Sequence, residues 1–261
     1  MNIYDVAKEA GVSPSTVSRV LNNSASVRES TRSKVMAVIK KKEYTPSALA
    51  RNLSTGRSNN IAFLVPDIEN PFFSKALHGI SDCAYNNGYN VFMFGTDENI
   101  DQEHTVLKNI NMGLVCGIII APVQEKDAVT AEFLRDYVEN GIPVILLDRD
   151  LFHIKLDAVL SNDVDGACEV VKCLIDEGHT KIGFIAGPET SRPGAKRLEG
   201  YLKALHESGI SVADEYIANG MFREEGGYEA MKTLMELQDP PTAVFSSNNL
   251  STLGCLKYVK E

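Results

Sequence analysis

A polar segment near the N-terminus carries side chains that could contact nucleic-acid bases. Ser13 and Pro14 predict the start of a helix, because Ser can cap free backbone N–H groups and Pro lacks an N–H that would have no partner there. This helix would turn Val17 and Val20 inward and present hydroxyls and one guanidinium outward. Hydroxyls can bond to bases or phosphates, and Arg can bond to the acceptor edge of guanine. The candidate DNA-binding residues are Ser13, Ser15, Thr16, Ser18 and Arg19.

A second group of polar and aromatic residues follows apolar runs in the rest of the chain. Two adjacent aromatic rings could cover the C–H surface of a sugar, while amide and charged groups could bond its hydroxyls in pairs. Taken singly, the rings could instead begin a core-packing helix, and an Asp–Arg step could be a surface ion pair. Their shared position after apolar runs favours a small polar-ligand site. Its candidate residues are Asn70, Phe72, Phe73, Asp148, Arg149, Arg197 and Asn248.

The placement of that second group depends on a predicted parallel sheet. Uninterrupted apolar runs alternate with amphipathic stretches, which is typical of strands covered by helices on both faces. In such sheets, ligands bind beyond the carboxyl ends of the strands. A change of rhythm near 155–165 predicts two lobes in tandem. The strands are predicted at 61–65, 91–94, 118–121, 144–147, 182–186 and 242–245, and the helices at 72–87, 101–112, 130–140, 164–177, 195–208 and 226–237.

Three short amphipathic stretches predict a helical head. Helices are expected over 4–10, 14–21 and 29–43. Gly11 should end the first helix in the left-handed conformation, which costs glycine least. Two short helices joined by such a turn predict a helix-turn-helix motif.

A fourth stretch begins after Thr45–Pro46 and spans less than three turns, so it should become helical only against a partner. Its Leu49 and Leu53 share one face. That face could insert a Leu into a minor-groove base step, or it could pack on the body of the protein. The spacing alone does not choose between these interpretations.

Charge is distributed unevenly along the 261 residues. The net charge is −9, yet residues 1–60 carry ten Lys or Arg side chains against four acidic ones. A basic head on an acidic body suits a protein of which only the head touches a polyanion.

Composition and motifs exclude several classes. Apolar residues make up 44% of the chain, and no apolar run approaches the roughly 20 residues of a membrane span. The N-terminus lacks the pattern of a secretory signal, and the five Cys lack paired spacing, so we expect a cytoplasmic protein with reduced thiols. No G-x-S-x-G motif occurs, no G-x-G-x-x-G follows a strand, and the five His are scattered. We therefore expect no catalytic centre, metal or cofactor.

Four segments resemble the lactose/galactose-repressor (LacI/GalR) family of bacterial transcription regulators: IYDVAKEAGVSPSTVSRVLN, VRESTRSKV, YTPSALARNLS and IAFLVPDIENPFF. The resemblance runs along the whole chain. It implies an all-α helix-turn-helix head and an α/β body of the periplasmic-binding-protein type with two parallel-sheet lobes. It also implies that Ser15, Thr16 and Arg19 read the major groove and that Leu53 is the minor-groove wedge of a hinge helix. Two copies would bind a palindromic operator as a homodimer.

The resemblance also bears on the ligand. The NPFF and LDR elements look like those of ribose-type sugar-binding proteins and related repressors, and the resemblance adds Phe222 to the candidate residues. Purine-binding relatives lack the paired aromatics and the Asp–Arg step, so a ribose-like sugar is favoured. Control by a phosphorylated carrier protein is an open alternative. As in the family, a sugar that closes the lobes would separate the hinge helices and release the operator.

These arguments divide the chain into four parts. We expect a helix-turn-helix DNA-binding domain at 1–45, a hinge helix and linker at 46–58, the first lobe of the effector-binding domain at 59–160 and the second at 161–261. Family members normally continue for several tens of residues past a segment like the one that ends at Glu261. The second lobe is therefore expected to be incomplete.

The sequence thus predicts an allosteric repressor of a sugar-utilisation operon. One alternative is a sugar-binding module without a DNA role, which the basic head and the missing signal sequence disfavour. Another is a cytoplasmic hydrolase on the same lobes, which turnover of nucleosides or sugar phosphates would reveal.

Overall fold

A computed structural model describes residues 2–21, 24, 26–42, 44, 58–110 and 113–261. The chain divides into two units, Met1–Ser58 and Asn59–Glu261. The predicted hinge helix, including Leu53, lies outside the described residues.

Three helices of the first unit share a small apolar core. They are α1 (Ile3–Ala10), α2 (Pro14–Leu21) and α3 (Glu29–Lys41). Because of the helical spacing of the apolar residues, each helix contributes one or two buried side chains to this core. The buried residues are Val6, Ala7, Val17, Val20 and Val35. The predicted head helices are confirmed, although α3 ends two residues before the predicted position 43.

Local side-chain chemistry determines the ends of α1 and α2. Asn2 caps α1, and Gly11 ends it with a φ of 67°, the left-handed conformation that glycine adopts without steric cost. The Ser13 hydroxyl accepts a hydrogen bond from the backbone N–H of Thr16 at 3.2 Å, and α2 begins at Pro14. The predicted glycine stop and serine cap are both present.

The first lobe of the second unit is a five-stranded parallel sheet. Its strands are β1 (Asn60–Val65), β2 (Asn90–Gly95), β3 (Gly117–Ile120), β4 (Val144–Leu147) and β5 (Asp157–Val159), and its helices are α4 (Pro71–Asn86), α5 (Ile100–Asn109) and α6 (Ala128–Glu139). The strand order is β2-β1-β3-β4-β5, and every neighbouring pair is parallel.

The second lobe repeats this arrangement with a three-stranded parallel sheet in the order β7-β6-β8. Its strands are β6 (Ile182–Ala186), β7 (Ile217–Asn219) and β8 (Ala243–Ser246), and its helices are α7 (Asp163–Asp176), α8 (Arg192–Glu207), α9 (Glu224–Met235) and α10 (Asn249–Lys260). The predicted class, a helical head with an α/β body of two parallel sheets, is confirmed.

The central strands are buried on both faces. Leu64 and Phe63, adjacent on β1, belong to separate apolar clusters, and so do Phe184 and Ile185 on β6. Successive side chains of a strand point to opposite faces. An uninterrupted apolar strand therefore requires helices on both sides of the sheet, as the sequence predicted.

The structure corrects the prediction in two respects. β5 and β7 are additional strands of three residues each, and β5 is fully exposed. Each is recognised as a strand only by its pairing with a longer neighbour. Neither has an apolar run of strand length, so the sequence pattern could not reveal them. The six predicted body helices begin one to three residues earlier than expected. Four of them start directly after side-chain caps, which are Asn70, Asn99, Asp127 and Ser191.

Within the described ranges, no helix has the length and apolarity needed to cross a membrane. The same residues contain no cluster of three His, Cys, Asp or Glu side chains that could hold a metal ion.

Candidate functional site

A cavity of about 310 Å³ lies in the second unit, among segments that follow the carboxyl ends of strands in both lobes. All eight residues predicted to bind a small ligand line it, although they come from five separate segments. They are Asn70, Phe72, Phe73, Asp148, Arg149, Arg197, Phe222 and Asn248. The cavity wall also includes five residues that the prediction omitted, Pro193, Ser246, Ser247, Asn249 and Thr252.

The aromatic part of the wall comes from the start of α4. The Asn70 side chain accepts from the backbone N–H of Phe72 at 3.0 Å and thereby caps the helix. The rings of Phe72 and Phe73 meet edge to face with centroids 5.1 Å apart. Phe73 is buried and joins the core of the first lobe, whereas Phe72 is 38% exposed. Phe73 thus packs in the core and also lines the cavity, and Phe72 is the more accessible ring.

Asp148 follows β4 in an unusual backbone conformation. Its φ is 64°, in the left-handed region that Asp tolerates better than most residues. Its backbone N–H donates to the carbonyl of Val159 at 2.8 Å, and its carboxylate accepts from Ser161 Oγ at 3.2 Å. Burial raises the pKa of the Asp148 carboxyl, the nearby Asp163 adds to this rise, and Arg197 opposes it.

Arg149 lines the cavity, but most of its guanidinium N–H groups donate hydrogen bonds to acceptors of the protein. Its Nη2 and Nη1 donate to the two carboxylate oxygens of Glu98 at 2.5 and 2.9 Å, a bidentate pair. Nη1 also lies 3.2 Å from the carbonyl oxygen of Pro122. Glu98 thus holds the Arg149 guanidinium in place at the cavity wall.

The polar wall in the second lobe is organised around Asp163. This buried carboxylate accepts from Arg197 Nε at 3.0 Å and from Arg192 Nη1 at 2.7 Å. Arg197 Nη1 also donates to the carbonyl of Ser247 at 2.7 Å. Two guanidinium groups compensate the charge of Asp163, so Arg197 is held in place at the cavity wall.

Phe222 forms part of the cavity wall and lies in a tight turn after β7. Its φ is 58°, and its carbonyl accepts from Asn248 Nδ2 at 3.1 Å. The Arg197 guanidinium carbon lies 5.8 Å from the Phe222 ring centroid, within the range of a cation–π contact. The ring also packs over Gly187, where an added Cβ would come within 2.0 Å of it.

Sequence reasoning missed Glu98 and Asp163, the carboxylates that hold the two cavity arginines. Acidic residues at helix starts and in loops are common, so only the fold shows that these two face guanidinium groups. It also missed Ser247. Among the described residues, Ser247 Oγ and Arg149 Nε are the two buried side-chain polar atoms without a hydrogen-bond partner. An unpaired buried donor costs about 1–3 kcal/mol, and both of these belong to the cavity wall.

The predicted DNA-contact residues lie together around α2. Ser15 and Arg19 are exposed, and Thr16 and Ser18 are partly buried. The Ser13 hydroxyl lies 2.8 Å from that of Ser15 and 2.9 Å from that of Thr16, so these three hydroxyls form one local network. Leu53 belongs to the part of the chain that the structure does not describe.

Comparisons with known proteins match both units. Residues 2–47 match the family described as bacterial regulatory proteins, lacI family, and residues 58–261 match the periplasmic binding proteins and sugar binding domain of LacI family.

Individual relatives cover nearly the whole chain. Catabolite control protein A of Priestia megaterium is 36% identical over 98% of this chain and 76% of its own length. The HTH-type transcriptional repressor PurR of Mannheimia succiniciproducens is 33% identical over 99% of this chain and 77% of its own. A lac repressor dimer, solved bound to operator and the anti-inducer ONPF, has a TM-score of 0.82 at 26% identity and covers 100% of this chain and 77% of its own.

Proposed function

Because the chain belongs to the lacI family of bacterial regulatory proteins, we propose that it represses a sugar-utilisation operon and leaves its operator when a ribose-like sugar binds between the lobes. The family assignment makes it a DNA-binding transcriptional repressor with a sugar-effector domain. The relatives are transcriptional regulators rather than enzymes, in agreement with the enzyme motifs that the sequence lacks.

The convergence of five separate segments on one cavity carries the proposal. A volume near 310 Å³ is at the lower end of the roughly 300–1,000 Å³ of ligand pockets, which suits a monosaccharide. Phenyl rings lie on one part of the wall, and Asp148, Arg197 and Asn248 supply carboxylate, guanidinium and amide groups on another. Apolar and polar walls of this kind match the two faces of a sugar ring.

Ribose is proposed from the residues of the cavity rather than from the names of the relatives. The similarity to a PurR repressor makes a purine the competing ligand. The buried Asp148 carboxylate can accept hydrogen bonds from neighbouring hydroxyls of a sugar. The NPFF and LDR elements support the same choice.

The DNA-binding part of the proposal rests on the exposed face of α2. We propose that Ser15, Thr16 and Arg19 contact bases in the major groove and that Ser13 and Ser18 contact the backbone or neighbouring bases. We further propose that Leu53 inserts into the minor groove and that two copies bind a palindromic site. The operator-bound lac repressor dimer supports this arrangement.

Nuclease footprinting on neighbouring promoters, followed by DNA-binding assays with and without D-ribose, tests the proposal. We expect one protected palindrome, a steep loss of affinity with salt, and release by D-ribose but not by hypoxanthine. A weak salt dependence would contradict the DNA-binding role. Release or tightening by hypoxanthine alone would assign the cavity to a purine.

A matched pair of variants separates the cavity from the head. Phe72→Ala should lose the response to D-ribose while still binding the operator. Phe152→Ala, which removes a 60% exposed ring of the first lobe that does not line the cavity, should respond like the unmodified protein. Equal responses of both variants to D-ribose would place the sugar elsewhere.

A further inference from the structure

Two tight turns with left-handed backbone carry residues of both lobes. The turn after β2 contains Asp97 and Glu98, with φ values of 53° and 52°, and the turn after β7 contains Met221 and Phe222, with values of 52° and 58°. In the described part of the chain, Asp148 is the one other non-glycine residue with positive φ. Such conformations are unfavourable for most residues other than glycine. Contacts around the two turns must therefore hold them.

An ion pair joins these turns. Arg223 Nη2 donates to Asp97 Oδ1 at 2.6 Å and to the carbonyl oxygen of the same residue at 2.9 Å. The hydrogen bond that Arg223 donates to Asp97 raises the pKa of Arg223, and the charges of Asp67 and Glu98 add to this rise. Because one guanidinium nitrogen binds both the side chain and the backbone of Asp97, the contact defines the position of one turn relative to the other.

Each turn also carries a residue that shapes the cavity. Glu98, next to Asp97 in the chain, holds the guanidinium of Arg149 through two hydrogen bonds. Phe222, next to Arg223, forms part of the cavity wall. Each partner of the ion pair is thus adjacent in the chain to a residue that forms the cavity wall or holds a side chain of it.

We propose that Asp97 and Arg223 form a clasp that stabilises the closed arrangement of the two lobes and couples it to the filling of the cavity. Both are positioning residues that act through Glu98 and Phe222. The inference rests on the proposed function, in which closure by a sugar releases the operator. In this proposal, the strength of the ion pair sets the sugar concentration at which the operator is released.

Sugar titrations of the full chain test the clasp. Asp97→Asn and Arg223→Gln should each weaken D-ribose binding by about 2- to 5-fold, the range expected for a largely exposed ion pair. The double variant should be no weaker than the weaker single one, because both changes remove the same contact. Additive losses, or unchanged affinity in both single variants, would overturn the proposal.

An ion pair within the second lobe provides the control. Lys181 and Asp239 are 2.5 Å apart, with side chains 45% and 63% exposed, close to the 39% and 66% of Arg223 and Asp97. Asp239→Asn should leave D-ribose affinity unchanged. An equal loss in this variant would show that any surface ion pair has the same effect, which would contradict a specific clasp.

Hydrogen exchange gives a readout that does not depend on a sugar. The backbone N–H of Arg223 donates to the carbonyl of Gly220 at 2.9 Å. Asp97→Asn should accelerate exchange in the turn at 220–224, in the opposite lobe, whereas Asp239→Asn should not. Unchanged exchange there would refute the clasp even if D-ribose binds. Accelerated exchange in a protein that D-ribose does not bind would instead reject only the proposed ligand.

Discussion

The side chains of the candidate ligand site are held by other parts of the protein. Glu98 fixes Arg149, and Asp163 fixes Arg197. Asn248 caps α10 through its oxygen and holds the Phe222 carbonyl through its nitrogen. Ordering these groups in advance lowers the entropy that a ligand must remove on binding. The site therefore depends on residues that never need to touch the ligand.

Replacing Arg19 should change sequence recognition. We expect Arg19→Ala to relax base preference at one operator position and to cost about 1–3 kcal/mol of discrimination, because a guanidinium bound to guanine would be lost. Competition binding against single-base operator variants measures this. Lys34→Ala, on the exposed side of α3, is the control and should weaken all sequences about equally. An unchanged base preference in Arg19→Ala would refute its reading role.

A methyl group at Gly187 should disturb the cavity. The added Cβ would lie 2.0 Å from the Phe222 ring, so the ring must move. We expect Gly187→Ala to lower the unfolding free energy by about 1–3 kcal/mol and to weaken D-ribose binding, measured by chemical denaturation and calorimetry. Gly166→Ala on α7, where no atom lies within 4 Å, is the matched control and should keep full affinity. Full affinity in Gly187→Ala would remove Phe222 from the ligand site.

The raised pKa of Asp148 predicts a pH dependence of stability. Between the ordinary carboxyl pKa of 3.8 and the raised folded-state pKa, the folded protein binds more protons than the unfolded chain, so stability falls as pH rises. Asp148→Asn removes this loss and suits the left-handed backbone. Its stability relative to the unmodified protein should therefore increase with pH across that window, measured by urea unfolding.

Asp165 provides a control of opposite sign. Hydrogen bonds from Asn162 and Lys203 lower the pKa of its exposed carboxyl. Its contribution to stability is present above the unfolded pKa and is lost as pH falls. The stability of Asp165→Asn relative to the unmodified protein should thus not rise with pH. The same trend in both variants would show that the pH dependence of stability does not come from the burial of Asp148.

At the scale of elements, helix ends are determined locally, whereas the hinge helix predicted from the sequence at 46–55 is expected to depend on a partner. α1, α2 and α4 have recognisable caps or stops at Asn2, Gly11, Ser13 and Asn70. The segment 46–55 is under three turns long, and isolated helices of that length are marginal in water. In the proposed mechanism, this segment gains its stability from DNA and from its copy in the dimer.

Leu53→Ala tests that mechanism. If Leu53 inserts into a base step, the variant should lose specific operator binding while its salt-dependent nonspecific binding stays nearly intact. Binding to operator and to random DNA over a salt series measures both. Leu49→Ala, which the sequence pattern predicts on the same helical face, is the comparison. Equal losses in both binding modes would show that Leu53 only packs against protein.

At the scale of the whole molecule, a basic head and an acidic body separate the two proposed binding activities. Because both are proposed to act through one equilibrium of the body, thermodynamic linkage requires reciprocity. Saturating operator DNA should weaken D-ribose binding by the same factor by which saturating D-ribose weakens operator binding. Calorimetry of the sugar with and without DNA, compared with operator titrations, checks this. Unequal factors beyond experimental error would exclude a single two-state coupling.

The sequence by itself determined the features that depend on residue type and short-range spacing. Apolar runs such as IGFIA at 182–186 specify buried strands, and Gly11 and Ser13 specify helix ends, because burial and capping depend on residue type and spacing. The tertiary structure alone decided which polar groups meet. β5 and β7 exist only through pairing with β4 and β6. Glu98 reaches Arg149, and Asp97 reaches Arg223, only because the sheets bring distant loops to one edge. Long-range electrostatic contacts leave no periodic trace in a sequence, so these partners could not have been read from it.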